Sequence, residues 1–193
     1  VPKRQREFRA GRHCARLALQ QLHYDHFDLL NDAERVPQWP QNIVGSISHC
    51  DDLCIVAVSD DPTVKALGLD VEALSALPAE TRALICHPQE IAQLIDKTFQ
   101  APYWDRVIFS AKESFYKAYF PLCRQFLDFL DAEVTLEPPH KTAHGFQGSY
   151  CLRLLNSPPP ALSDQHVFYG RYACIERWII TSMTLLKITE NEE

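Results

Sequence analysis

The chain is 193 residues long, carries a formal net charge of −6 and holds seven Cys, thirteen Pro and only six Gly. One domain of that length, or two small halves on a shared core, buries roughly 70% of its unfolded surface, so folding requires neither disulfides nor a structural metal. An apolar content of 46% and a charged content of 23% exclude a disordered chain, no run reaches the ~20 apolar residues of a membrane helix, and no glycine-rich phosphate loop occurs.

The chain opens on Val1-Pro2-Lys3-Arg4, without Met or leader, and reads as trimmed at its front. Glu7 to Leu22 is predicted as a helix with Phe8, Cys14 or Ala15, Leu19 and Leu22 as its apolar stripe. Lys3, Arg4, Arg6, Arg9, Arg12 and Arg16 crowd this front, opposed only by Glu7. An acidic protein that gathers its cations in one segment is arranged to hold an anion there; the alternative is a solvated helix face. Nucleic acid is disfavoured, because no further basic stripe follows.

Ile43 to Ser48 and Leu53 to Ser59 read as a hairpin around Cys50-Asp51-Asp52, with Val64 to Glu72 as a third strand. Pro78 to Leu84 and Pro88 to Phe99 read as helices, and Asp105 to Tyr119 as a strong amphipathic helix ending before Pro121. Strands are expected at Glu133–Leu136, Phe146–Leu155, Val167–Ile175 and Trp178–Leu186, the last pair turning at Glu176-Arg177. The tail, Thr189 to Glu193, is polar and expected to fray. This order gives an α+β fold of two similar halves, residues 1–100 and 101–193, related by a pseudo-twofold. The seven cysteines are scattered, odd in number and free of any CxxC, which fits buried thiols in a reducing, cytoplasmic setting. A zinc site drawn from His49, Cys50 and Cys54 lacks a fourth ligand.

Three segments carry chemistry. In Gly68-Leu69-Asp70-Val71-Glu72, alternation along a strand puts Asp70 and Glu72 on one face. Two adjacent carboxylates repel unless a cation lies between them, and oxygen-only ligands suit Mg²⁺; the plain alternative is an acidic strand edge. In Ser110-Ala111-Lys112-Glu113-Ser114-Phe115-Tyr116-Lys117, Glu113 and Lys117 are i,i+4 neighbours, with Lys112 about 100° round the helix. They offer a third carboxylate and two ammonium groups on a helix whose aromatic residues argue for burial. In Gly45-Ser46-Ile47-Ser48-His49, a His ends a strand where it can donate to a phosphate oxygen. A basic helix, a His, a D-x-E and a K-E-x-x-x-K together describe a site for a polyphosphate with Mg²⁺.

In these stretches (KRQREFRAGRHCARLAL, VPQWPQNIVGSISHC, GLDVE, LICHPQE and WDRVIFSAKESFYKAYFPL) the sequence resembles the 4′-phosphopantetheinyl transferase superfamily, and within it the enterobactin-synthetase type of siderophore and non-ribosomal peptide synthesis. The resemblance runs over most of residues 3 to 122 and is specific in the combination of GLDVE with FSAKESFYKA. It implies transfer of the phosphopantetheine arm of coenzyme A, the co-substrate, to a serine of an apo carrier protein, with release of adenosine 3′,5′-bisphosphate. It implies Asp70, Glu72 and Glu113 as ligands of Mg²⁺, or of Mn²⁺ in its place. It puts Lys112 and Lys117 near the pyrophosphate, His49 on coenzyme A with Ser48 and Ser46 in the same loop, and Arg4 and Arg12 on the 3′-phosphate. Glu113 is the first choice of general base. Carrier docking is expected near Tyr116, Phe120 and Arg124, with Phe115 and Phe126 read as core. A monomer is expected, on the analogy that two halves of one chain form the site that shorter relatives form between subunits. The rivals are a Mg²⁺-dependent nuclease, whose E-x-K strand pattern is not matched here, and an inactive coenzyme A- or carrier-binding module, against which the intact acids argue.

Overall fold

The computed structural model describes residues 2–187, so the tail expected to fray lies outside the described residues. The chain begins with helix α1 (Pro2–Gln21). Its buried stripe is Gly11, Ala15 and Leu19, spaced four apart, while Phe8 is exposed and not part of the expected apolar stripe. Gly11 lets the helix lie close to β1, since a Cβ there would stand 3.1 Å from the Ile47 side chain.

The hairpin forms as expected, from β1 (Val44–Cys50) and β2 (Leu53–Ser59). Asp51 adopts a left-handed φ of 49° at its turn. Strand β3 (Val64–Ala73) does not join that two-stranded sheet. It forms one edge of a six-stranded antiparallel sheet of order β3-β8-β7-β6-β4, with the short β5 (His140–Thr142) beside β6. The other members are β4 (Ala132–Leu136), β6 (Gly145–Leu154), β7 (Val167–Ile175) and β8 (Trp178–Leu186). Strand β3, before the division expected at residue 100, pairs with β8, after it, with a register shift between Val64 and Ala66. The mixed α+β character holds.

Between β3 and the sheet's second strand in sequence lie α2 (Ala79–Ile85), α3 (Pro88–Gln93) and α4 (Trp104–Cys123). The single helix expected over Pro88–Phe99 is two pieces, α3 and a 3₁₀ turn at Lys97–Phe99, whose start Asp96 caps through Thr98 N. Helix α4 runs through Pro121 rather than stopping before it. Proline there removes one backbone donor in the last turn, and Arg124, with φ 52°, closes the helix by donating its N–H to the Phe120 carbonyl.

The core lies between α4 and the sheet. Val107, Ile108, Ala111, Phe115 and Ala118 are fully buried against Leu152, Phe168, Ile179 and Met183. Burying a side chain such as Phe115 contributes roughly 2–3 kcal/mol. Two reciprocal pairs knit β6 to β7: Tyr172 lies over Gly148 and Tyr150 over Gly170, each glycine leaving room for the ring opposite. The Tyr150 hydroxyl bonds Ser114 Oγ of α4 at 2.8 Å.

Helix α4 approaches the sheet closely at Gly68. A Cβ on that residue would stand 1.7 Å from the Ser114 carbonyl oxygen and 3.1 Å from Ala118 N. The glycine of GLDVE is thus a spacing device that brings α4 down onto β3. Gly68→Ala is expected to force the two apart and lower the unfolding free energy by about 3 kcal/mol. Urea denaturation checks this, and an unshifted midpoint would show that the contact is not tight.

Candidate active site

The seam between the two sheets is made by side chains. Ser46 and Ser48, two apart on β1, both point at β3 and are buried. Ser46 Oγ accepts from Leu69 N at 3.0 Å and Ser48 Oγ from Val71 N at 3.2 Å. These hydroxyls satisfy the edge amides of β3 that no strand pairs, which is why S-x-S occurs before His49.

Asp70 lies in this seam and is only 4% exposed. Its Oδ1 accepts from Lys117 Nζ at 2.7 Å and from Ser48 Oγ at 3.0 Å, and its Oδ2 accepts from Ser110 Oγ at 2.7 Å. Lys117 Nζ also donates to Ser48 Oγ at 2.8 Å. Glu72, two residues along, is held by Arg106, whose Nη1 reaches Oε2 at 2.9 Å while its other nitrogens bond the Ser75 and Ala76 carbonyls. Arg106, Ser110, Glu113 and Lys117 form one stripe of α4 at spacings of four, three and four. That stripe runs along β3 opposite the two acids.

Glu113 is half-buried, and burial, then the charge of Asp70, push its carboxyl above the usual carboxylate range. The same two causes raise Glu72, against the opposing pull of Arg106. Glu72 and Glu113 thus both sense the charge of Asp70, and the three acids offer a donor set of oxygens only. Among the described residues no three such groups already converge as ligands, since Glu72 is turned to Arg106 and Asp70 to Lys117.

The structure separates other expected partners from this centre. Lys112 is not on this stripe of α4. It is 4% exposed and donates to Glu90 Oε2, the Ile85 carbonyl and the Phe129 carbonyl, each at 2.8 Å. Its three N–H groups are fully used, and the reason is helical: one residue's rotation from Glu113 points it at α3 instead of β3. His49 follows Ser48, so alternation turns it to the opposite face of β1, where it is exposed in a shallow depression with Lys3, Arg6 and Asp52. Arg4 is exposed one turn before Phe8. Arg12 lies 4.7 Å from the centroid of the Phe8 ring and donates to Asn31 Oδ1. Its Nε is buried without a partner among the described residues, a donor suited to an anion. Phe115 is core as expected, but Phe126 is 78% exposed, contrary to the expectation of a core residue.

Sequence reasoning missed Arg106, Ser110 and Glu90. The first two could have been found by extending the Glu113/Lys117 face of α4 by two turns toward its start. A cavity of about 450 Å³ opens beside Lys117, walled by Trp39, Val44, Ser46, Leu67, Tyr116 and Phe120. Arg124 braces its rim, pairing with Asp32 at 2.6 Å and Glu34 at 2.9 Å. All seven cysteines are free thiols, and among the described residues no helix is long and apolar enough to cross a membrane.

Two family models match: the 4′-phosphopantetheinyl transferase N-terminal domain over residues 1–59 and the 4′-phosphopantetheinyl transferase superfamily over residues 66–172. The chain is 35% identical over 189 residues to 4′-phosphopantetheinyl transferase Svp of Streptomyces mobaraensis, covering 96% of this chain and 74% of that one. It is 34% identical over 190 residues to 4′-phosphopantetheinyl transferase PptT of Mycobacterium tuberculosis, covering 96% and 81%. With enterobactin synthase component D of Escherichia coli it shares 34% identity over 118 residues, 60% of this chain and 55% of the relative. This chain belongs to the 4′-phosphopantetheinyl transferase superfamily.

Proposed function

We propose that the Asp70–Lys117 centre is where this chain performs its family's reaction, moving the 4′-phosphopantetheine arm of coenzyme A to a serine hydroxyl of an apo carrier protein. The observation that carries this reading is the convergence of GLDVE and the KES helix on one buried carboxylate, with Lys117 Nζ 2.7 Å from Asp70 and 2.8 Å from Ser48. The cavity of about 450 Å³ that opens beside Lys117 gives that ammonium room to meet a pyrophosphate-bearing substrate.

Each residue has a task in this scheme. The ammonium of Lys117, 28% exposed in its side chain, faces the pyrophosphate and stabilises charge on its oxygens as the bond to the adenosine half breaks. Glu113, its carboxyl raised above its ordinary value by burial and by Asp70, takes the proton of the attacking serine. Arg12, with its unpartnered buried Nε, and Arg4 on the same helix hold the 3′-phosphate, with His49 as a further coenzyme A contact. Asp70, Glu72 and Glu113 are the groups that would hold Mg²⁺, or Mn²⁺; their oxygens and mutual repulsion fit a hard divalent cation. Such an ion supplies neutralisation of the pyrophosphate charge. Both acidic strand and helix come from one chain, which supports a monomer, and free thiols support a reducing, cytoplasmic setting.

The decisive experiment is mass spectrometry of an apo carrier protein incubated with the enzyme, coenzyme A and Mg²⁺. A gain of one phosphopantetheine is expected; no gain on any carrier, with cleavage of DNA instead, would favour a nuclease. Chelation with EDTA should abolish transfer and added Mg²⁺ or Mn²⁺ restore it, whereas transfer that survives chelation would remove the acids from a metal role. Asp70→Asn keeps the shape of the buried group and should lower kcat by about a hundredfold or more with the fold retained, as circular dichroism would show. Arg12→Gln should erase the preference for coenzyme A over 3′-dephospho-coenzyme A. If both substrates weaken equally, Arg12 does not read the 3′-phosphate.

A further inference from the structure

Lys112 presents a puzzle, because the chain buries a second ion pair on the side of α4 away from Asp70. Glu90 is 0% exposed and Lys112 4%, at 2.8 Å. Burying two charges costs several kcal/mol unless every polar atom is satisfied, and a well-packed apolar pair is often as stable. Here every atom is satisfied. Lys112 binds the carbonyl that ends α2 (Ile85), Glu90 on α3 and the carbonyl that opens the 3₁₀ turn at Phe129–Asp131. Glu90 accepts in addition from Val134 N of β4 at 2.6 Å and from His87 N at 2.6 Å. Five separate segments meet at one point.

That point is beside the reacting residues. Lys112 is the chain neighbour of Glu113, and the segment it ties at Phe129 carries Phe126, Leu127 and Asp128. Those residues wall a narrow cleft of about 130 Å³ that Glu113 and Tyr116 also line. We propose that Lys112 and Glu90 are positioning residues for the transfer reaction, fixing the rotation of α4 at Glu113 and the 126–129 wall of the cleft, and that Lys112 touches no phosphate. This rests on the transferase reading above. An apolar pair could hold the fold; three convergent acceptors around one ammonium fix direction, which an apolar contact does not.

The test compares E90M/K112M and E90Q with the wild type by melting temperature, kcat and KM for coenzyme A. K112M alone strands a buried carboxylate and should lower the melting temperature by about 10 °C, which the double variant should largely recover. Well below its melting temperature, E90M/K112M should show kcat reduced by about tenfold with KM for coenzyme A within about threefold of wild type. E90Q, which preserves shape if the double variant fails to fold, should show the same split with a smaller fall. A rise in KM of about tenfold or more in the double variant would mean a lost phosphate contact and overturn the proposal. So would a tighter KM in E90Q, which would show Glu90 withholding Lys112 from substrate. Wild-type kcat in a stable double variant would also overturn it, leaving the pair a role in folding alone. Absence of transfer by the wild type would sink the functional reading instead, and coenzyme A affinity by calorimetry would still decide whether Lys112 meets phosphate.

Discussion

The buried carboxylate of Asp70 is the constraint on which the site's geometry depends. A charge at 4% exposure is tolerated only with its acceptor capacity filled. Two elements fill it, β1 through Ser48 and α4 through Ser110 and Lys117, while β3 carries it. Removing Lys117 would leave the carboxylate without its counter-charge, a loss of about 3–5 kcal/mol, and removing either serine would cost a hydrogen bond to a charged group, about 1.5–3 kcal/mol. The same residue therefore ties hairpin, helix and sheet together and holds the one of its partners, Lys117, that lines the cavity.

Gly68 and Ser110 complete that arrangement from either side. The glycine lets the helix approach, and the serine uses the approach, bonding Asp70 at 2.7 Å and Thr181 Oγ1 of β8 at 2.9 Å. Arg106 extends it by holding Glu72 to the loop after β3. Three of the four groups in the α4 stripe thus bind the acids of β3, Arg106 on Glu72 and Ser110 and Lys117 on Asp70.

Much of this was legible in the sequence, for physical reasons. Strands with period-two patterns, such as Val167–Ile175, and the helix around KES declared themselves by their apolar spacing. Asp70 and Glu72 could be placed on one face because a strand alternates strictly. Lys112 could not be assigned from spacing, because a lysine 100° from a stripe faces either substrate or a neighbouring element, and Glu90 lies 22 positions away. Pro121 was misread because a proline in the final turn forfeits only one bond. Phe126 was misread because an aromatic after a helix has no periodicity to show which way it faces. Sheet membership of β3 was invisible, since β8 follows it by more than a hundred residues.

The serine-bridged seam between β1 and β3 has a mechanical consequence. A β-ladder resists sliding along its whole length, but here side chains bridge hairpin and main sheet: Ser46 and Ser48 hold the β3 amides, Ser48 bonds Asp70, and Arg177 of the β7–β8 turn pairs with Asp52 of the hairpin turn. Among the described residues no backbone ladder joins the α1–β1–β2 layer to the main sheet, and Ser48 lies on that line, bonded to both members of the Asp70–Lys117 pair. Movement that widens the cleft for an entering substrate would concentrate at the seam, loading the bonds around Asp70 before any backbone ladder.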